Sequence, residues 1–332
     1  MNTRVNQPPS VPQGTRHLVA PELVSALDAF PSFDINLEMI AALRVGGIRR
    51  DGLTPPLSPA QQAVHCEQRI VPGPKDAPDV RVLIYRPPDS AANTQPVYLH
   101  MHGGGYVLGN AELNDGSNRQ LTCDLGCIVI SVDYRLAPET PFPGAVEDCY
   151  AVLEWLHREA RPFGLDTARI AIGGESAGGG HAASLALLNR KRGQFPICLQ
   201  LLDSPMLDDR TGSSADPHPH CGEFVWTPAK NRVGWQALLG REPGGPDVPA
   251  DAVPARAVDL GGLPPAFIAV GAIDLFLEES VEYARRLIRA GVPTELHVIP
   301  GAFHGFGIAG DRVPQVQTHN RLRRDALARA FL

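Results

Sequence analysis

The 332-residue chain is long enough for one large α/β domain with an insertion or for two domains, and 43% hydrophobic residues are ordinary for a chain with a buried core. Lys and Arg (30) against Asp and Glu (36) give a formal charge of −6 with no strongly basic block, which argues against a nucleic-acid partner. No stretch approaches the roughly 18 consecutive apolar residues of a membrane span. Met1 to Ser10 lack the apolar centre of a signal peptide, and cysteines 66, 123, 127, 149, 198 and 221 form no Cys-x-x-Cys pair, so free thiols in a reducing cytoplasm are expected rather than a disulfide framework.

Residues 1–17 are polar and Pro-rich. Leu23, Leu27, Phe30, Ile35, Met39, Ile40 and Leu43 then recur at helical spacing with a break at Pro31, which predicts two short amphipathic helices. Gly46, Gly47, Gly52 and Pro55-Pro56 end them in a loop to about residue 58. Runs at 64–70, 80–85 and 97–102 predict strands, the first two as antiparallel edge strands of a meander and the third more central. A helix-like stretch at 117–125 and a strand at 127–132 follow. Pro143 opens a helix through 158, with Val146, Tyr150, Leu153, Trp155 and Leu156 on or near its buried side.

Further strands are predicted around 170–172 and at 197–202, 266–270 and 295–299, with helices at 182–188, 278–289 and 316–331. Eight strands, the later ones alternating with helices, argue a mostly parallel sheet covered on both faces. Residues 205–264 interrupt the alternation; they are rich in Pro, Gly and Asp yet helix-like around 230–239, and too long for a structureless loop. The expected division is an N-terminal cap segment 1–58, a core of 59–204 and 265–332, and an inserted cap segment 205–264. There is no internal repeat.

Gly174, Glu175, Ser176, Ala177 and Gly178 carry the pattern G-x-S-x-G between the strand at 170–172 and the helix after it. In such a turn the serine adopts a strained backbone that lifts its hydroxyl above the sheet edge, and Gly174 and Gly178 avoid collision between the arms of the turn. A serine hydroxyl needs a general base, and that base an orienting carboxylate, each past the carboxyl end of a strand and in the order serine, acid, histidine. Asp274, after the strand at 266–270, and His304, after the strand at 295–299, satisfy this order, so Ser176, Asp274 and His304 are the expected triad. Asp274 as a plain helix cap, and Glu278 or Glu279 as helpers, are the competing readings. His297 reads as a half-buried strand residue, and His181 as a packing residue of the helix after the serine.

In His100-Met-His-Gly-Gly-Gly-Tyr106, three consecutive glycines leave backbone N–H groups unshielded. With the N–H of Ala177, those of Gly103 and Gly104 would form an oxyanion hole, which favours a tetrahedral intermediate over a ground-state carbonyl.

These motifs resemble the hormone-sensitive-lipase-like esterases, the family IV lipolytic enzymes of the α/β-hydrolase fold. The matching pieces are His102-Gly-Gly-Gly105, Asp133-Tyr-Arg-Leu-Ala-Pro-Glu139, Gly173-Gly-Glu-Ser-Ala-Gly-Gly179, Asp203-Ser-Pro-Met-Leu-Asp-Asp-Arg210, Gly271-Ala-Ile-Asp-Leu-Phe276 and His304-Gly-Phe306. The resemblance implies a cap built from the N-terminal helices and the insertion, no cofactor, and dimers that pair through an exposed last strand. Glu175 stands where the family has aspartate, and Leu275 where it has proline after the acid.

Asp216, His218, His220 and Cys221 could in principle hold a borderline metal, but the intervening prolines favour a plain loop and no metal is expected. Phe224, Trp226 and Trp235 either line a pocket or fill a small core under the insertion, and Phe303 and Phe306 either restrict the entrance or pack the His304 loop. The expected activity is hydrolysis of short- to medium-chain carboxylic esters through a serine acyl-enzyme. An amidase or peptidase with the same triad, or a binding protein on this scaffold, is the alternative.

Overall fold

The computed structural model describes residues 14–30, 33–46, 56–88, 94–213 and 217–332. The expectations for residues 1–13, for the break at Pro31, for the loop at 47–55 and for Asp216 lie outside the described residues. The strands are β1 His65–Val71, β2 Val80–Arg86, β3 Gln95–Met101, β4 Ile128–Asp133, β5 Leu165–Glu175, β6 Leu199–Asp203, β7 Ala266–Gly271 and β8 Thr294–Ile299. The helices are α1 Val24–Ala29, α2 Ile40–Gly46, α3 Pro59–Ala63, α4 Asp115–Leu125, α5 Gly144–Arg158, α6 Ala160–Phe163, α7 Ala177–Arg192, α8 Pro228–Leu239, α9 Leu277–Arg289 and α10 Pro314–Ala330.

The eight strands form one sheet in the order β1-β2-β4-β3-β5-β6-β7-β8. β2 pairs antiparallel with both β1 and β4, and every other neighbouring pair is parallel. The sheet is therefore mostly parallel, as expected, but β2 is not an edge strand and does not lead into β3 as a meander. Val82, Leu83, Ile84 and Tyr85 are all buried, so β2 is covered on both faces and needs a partner on each side. Only β1, with His65, Arg69 and Ile70 exposed, reads as an edge at that end.

Side-chain alternation sorts the two faces of the sheet. Leu99 and Met101 of β3 join Ile170 and Ile172 of β5 against α5, α7 and α9, whereas Tyr98 and Ala171 turn towards α4 and α10. Each such fully buried aliphatic side chain stabilises the fold by about 1.5–3 kcal/mol before entropy is counted. α3 was not expected. Its start is a capping box in which Ser58 N–H donates to Gln61 Oε1 at 2.8 Å and Gln61 N–H donates to Ser58 Oγ at 3.3 Å, so Ser58-Pro59-Ala60-Gln61 carries the missing signal.

The insertion contains α8, where it was expected. Trp235 and Leu238 of α8 pack with Ile35 and Ile40 of the N-terminal segment and with Tyr106 and Phe276, which follow the carboxyl ends of β3 and β7. Thr15 Oγ1 donates to Glu223 at 2.5 Å. Arg44 of α2 donates to the carbonyls of Val107 and Ala137 at 2.7 and 2.5 Å and pairs with Glu139 at 2.9 Å. Among the described residues no helix is long and apolar enough to cross a membrane.

Candidate active site

Ser176 sits between the end of β5 and the start of α7 with φ 56° and ψ −120°. A non-glycine residue there costs on the order of 1–3 kcal/mol and persists only where its surroundings fix it. Ser176 N–H donates to the Asp203 carbonyl at 2.8 Å, and the Ser176 carbonyl accepts from Gly180 and Met206 at 3.1 and 3.0 Å. A Cβ on Gly174 or on Gly178 would lie 2.0 Å from the Met101 carbonyl oxygen. The main obstacle is thus the end of β3 rather than the opposite arm of the turn, although Gly174 also approaches Gly178 C at 2.9 Å. That close approach brings the glycine run after β3 beside the serine.

His304 Nε2 lies 3.0 Å from Ser176 Oγ, and His304 Nδ1 lies 2.9 Å from Asp274 Oδ2. Asp274 is fully buried, while Ser176 and His304 keep 9% and 8% of their surface exposed, enough to meet a ligand. Asp274 Oδ1 also accepts the Phe276 N–H at 2.9 Å in the turn before α9, whose N-cap position is Phe276 and carries no side-chain cap, so Asp274 is not the cap of that helix. The Phe276 ring meets the imidazole edge-on, centroids 5.0 Å apart. Leu275 is buried against Gly222 of the insertion, whose Cβ would come within 2.6 Å of it.

The rival carboxylates are engaged elsewhere or exposed. Glu279 accepts from Leu207 N–H at 2.7 Å and from the Thr211 hydroxyl, and burial raises its carboxyl well above the usual range. Glu278 faces solvent. His297 pairs with Glu295 at 2.6 Å on β8.

Gly103 abuts the serine: a Cβ there would sit 3.0 Å from the Glu175 carbonyl oxygen and 3.5 Å from Ser176 Cβ. Gly104 has φ 131°, and its Cβ would fall 2.1 Å from the Leu108 carbonyl oxygen. Among the described residues no partner is found for the N–H groups of Gly103, Gly104 and Ala177. Ala177 opens α7, so its N–H is one of those a helix leaves unused, at the positive end of the helix dipole.

Of the aromatic residues, Trp235 is fully buried beside Tyr106, and Trp226 fills the space over Gly105 with its ring centre 6.4 Å from that of His304. Phe303 packs with Phe224, and Phe306 with His319, so both belong to the packing of the His304 loop. His218 and His220 stand 6.1 Å apart on the insertion. Among the described residues no three His, Cys, Asp or Glu side chains gather as a metal site.

Glu175 has a defined place that sequence reasoning missed. Its Oε2 meets His100 Nε2 at 2.9 Å and its Oε1 accepts from Arg323 of α10 at 2.7 Å. His100 Nδ1 lies 3.0 Å from Ser131 Oγ. Asp203, at the end of β6, meets His319 Nε2 at 2.9 Å and lies 3.6 Å from Arg323 Nε. Burial opposes ionisation of Glu175, but the charges of His100 and Arg323 outweigh it and bring the carboxyl down to about 2. The partners are 75 and 148 residues away in sequence, beyond any local signal.

On the opposite face His102 stacks on Tyr134 with centroids 4.2 Å apart, and His181 packs against Tyr106 and Tyr134 at 4.7 and 4.8 Å. Burial pushes His102 down to about 4 and His181 down to about 3, so both rings are neutral at pH 7.

A family model described as alpha/beta hydrolase fold matches residues 98–308. The chain is 35% identical over 312 residues to the esterase LipI of Mycobacterium tuberculosis, covering 91% of this chain and 92% of that protein. It is 34% identical over 241 residues to an ethyl acetate hydrolase of Pseudomonas putida, covering 70% and 73%. The solved structure of a bacterial heroin esterase superposes with a TM-score of 0.88 at 36% identity, covering 96% of this chain and 99% of that one. With the sheet order and the serine turn in place, these matches establish that the chain belongs to the α/β-hydrolase fold family, among its hormone-sensitive-lipase-like esterases.

Proposed function

We propose that this serine-hydrolase-type esterase, which acts on carboxylic esters, uses Ser176 as nucleophile, His304 as general base and Asp274 as the carboxylate that orients it. The observation that carries the assignment is the continuous hydrogen-bonded line from Asp274 through His304 to Ser176, at 2.9 and 3.0 Å. In this reading His304 Nε2 takes the Ser176 proton as Oγ attacks the carbonyl carbon, and the N–H groups of Gly103, Gly104 and Ala177 receive the oxyanion. His304 then gives the proton to the leaving alcohol as the C–O bond breaks. Water, deprotonated by the same imidazole, releases the acid and restores Ser176.

The favoured substrates are short- to medium-chain esters: the similarity to an ethyl acetate hydrolase and the aromatic crowding around His304 both support this choice. Residues 1–58 and 205–264 act together as the cap over a core of 59–204 and 265–332, a division supported by their contacts at Thr15, Glu223 and Trp235. β8 pairs on one side with β7 and leaves Val298 42% exposed, which suits pairing with a second copy into a homodimer. Six free thiols suit a cytoplasmic setting.

The test is a panel of p-nitrophenyl esters and matched anilides with the native protein and Ser176→Ala. Acetate or butyrate esters should turn over well above the anilides, with rates falling beyond medium acyl length, and Ser176→Ala should lose at least about 10³-fold in kcat while remaining folded. Preference for anilides would replace the esterase with an amidase; stoichiometric binding without turnover would favour the binding-protein alternative.

A further inference from the structure

Trp226 reaches the site through a turn that its own sequence disfavours. Val225 has φ 61°, and Trp226 N–H donates to the Phe224 carbonyl at 2.7 Å, closing a three-residue γ-turn. A β-branched residue in the left-handed region is a genuine outlier, and γ-turns of this hand are rare and strained. The turn is fixed from α8. Lys230 Nζ donates to the Val225 carbonyl at 2.8 Å, and Trp226 Nε1 donates to Asn231 Oδ1 at 3.1 Å. Asn231 is fully buried and its amide donates to the Thr211 carbonyl at 2.7 Å. Lys230 in turn sits over the Phe33 ring at 4.1 Å. Strain held by this many groups sets the position of one side chain, the indole.

That indole lies where Gly105 leaves room, since a Cβ at Gly105 would be 2.1 Å from Trp226 Cη2. It therefore lies against the glycine run after β3 and near the imidazole of His304, whose ring centre is 6.4 Å away. His304 Nε2 is the atom that protonates the departing oxygen, so the alcohol portion of the ester has to lie beside His304. We infer that Trp226 is a specificity-determining residue that bounds the leaving-group side of the site and limits the bulk of the alcohol. This assignment rests on the Ser176–His304 reading above.

The experiment compares the native protein, Trp226→Ala and Trp226→Phe on two series: acetates of methanol, butanol, benzyl alcohol and 1-naphthylmethanol, and methyl esters from acetate to octanoate. Trp226→Ala should raise the ratio of kcat/KM for benzyl over methyl acetate by about tenfold or more, as expected when a wall of several carbons is removed. The octanoate-to-acetate ratio should move less than about threefold. Trp226→Phe keeps a ring but not the Nε1 donor, and should shift the alcohol ratio in the same direction by about threefold. It carries the test if circular dichroism shows Trp226→Ala unfolded. An unchanged alcohol ratio, or a larger change in the acyl series, overturns the inference. Residual turnover of the full panel by Ser176→Ala would instead overturn the nucleophile assignment and leave the two failures distinct.

Discussion

His100 and His102 are two positions apart at the end of β3 and enter opposite environments. His100 belongs to the face covered by α4 and α10, where Glu175, Asp203, Arg323 and His319 form a buried ionic network. His102 belongs to the face covered by α5 and α7, where it stacks on Tyr134 beside a second neutral imidazole, His181. The serine turn is thus gripped from one face by directed charge and from the other by shape. Charge fixes the carboxyl ends of β5 and β6 relative to α10, because each ion pair has one favourable geometry. Stacked neutral rings hold the start of α7 by packing and by neutral hydrogen bonds such as that from Tyr134 OH to the His102 carbonyl at 2.6 Å, without placing a further charge beside the Ser176 hydroxyl.

Removing the shared cation should break this contrast most strongly. Arg323→Met deprives Glu175 and Asp203 of the cation they share, and urea unfolding should show a loss of about 3–5 kcal/mol. Adding Glu175→Gln to that variant should restore part of the loss; strictly additive penalties would mean that the two side chains are not coupled.

Acid should separate the two faces. The buried histidines have folded pKa values below the ordinary 6.5, at about 4 and about 3, so the unfolded chain binds more protons as pH falls below 6.5 and stability declines there. Glu175, at about 2 against an ordinary 4.5, contributes stability that is fully present above pH 4.5, declines below it and is gone once pH has fallen through about 2. The aromatic face should therefore weaken first, between about pH 6.5 and 4, and the ionic face at lower pH. His181→Phe should remove about 2 kcal/mol of the decline between pH 7 and 5. A pH profile parallel to that of the native protein would show that His181 does not titrate as a buried neutral ring.

The smallest effect is reserved for a neutral hydrogen bond on the aromatic face. Tyr106 OH donates to the Met206 carbonyl at 2.7 Å, and Tyr106→Phe should cost only about 1 kcal/mol in the same unfolding experiment. A cost as large as that of Arg323→Met would erase the distinction between the two faces.

The parts of this site that were legible in sequence are those marked by short residue patterns at the carboxyl end of a strand. A Cβ on Gly104 would strike the Leu108 carbonyl within its own turn, whereas Gly174 and Gly178 face the Met101 carbonyl of β3; their spacing around Ser176 was readable, the strand that imposes it was not. Asp274 and His304 were legible because each follows a β-rich run at its carboxyl end. The neighbours of β2 were not, because an apolar strand does not name its partners and the choice of β4 over β3 is made by long-range packing. Glu175 read as a departure from a pattern, and only the fold brought Arg323 and His100 to it. Trp226 was visible as an aromatic in the insertion; its seat over Gly105 depends on a turn that the preference of valine for extended backbone argues against.

The bonds of Thr15 to Glu223 and of Arg44 to the Ala137 carbonyl also have a temporal meaning. The first partners are 208 residues apart and the second 93. During synthesis Arg44 waits for Ala137, and Thr15 waits longer, for Glu223. Contacts of such long sequence separation carry a high loop-closure cost and are made late. The docking of the N-terminal segment is therefore expected among the late steps of folding, after contacts of shorter sequence separation.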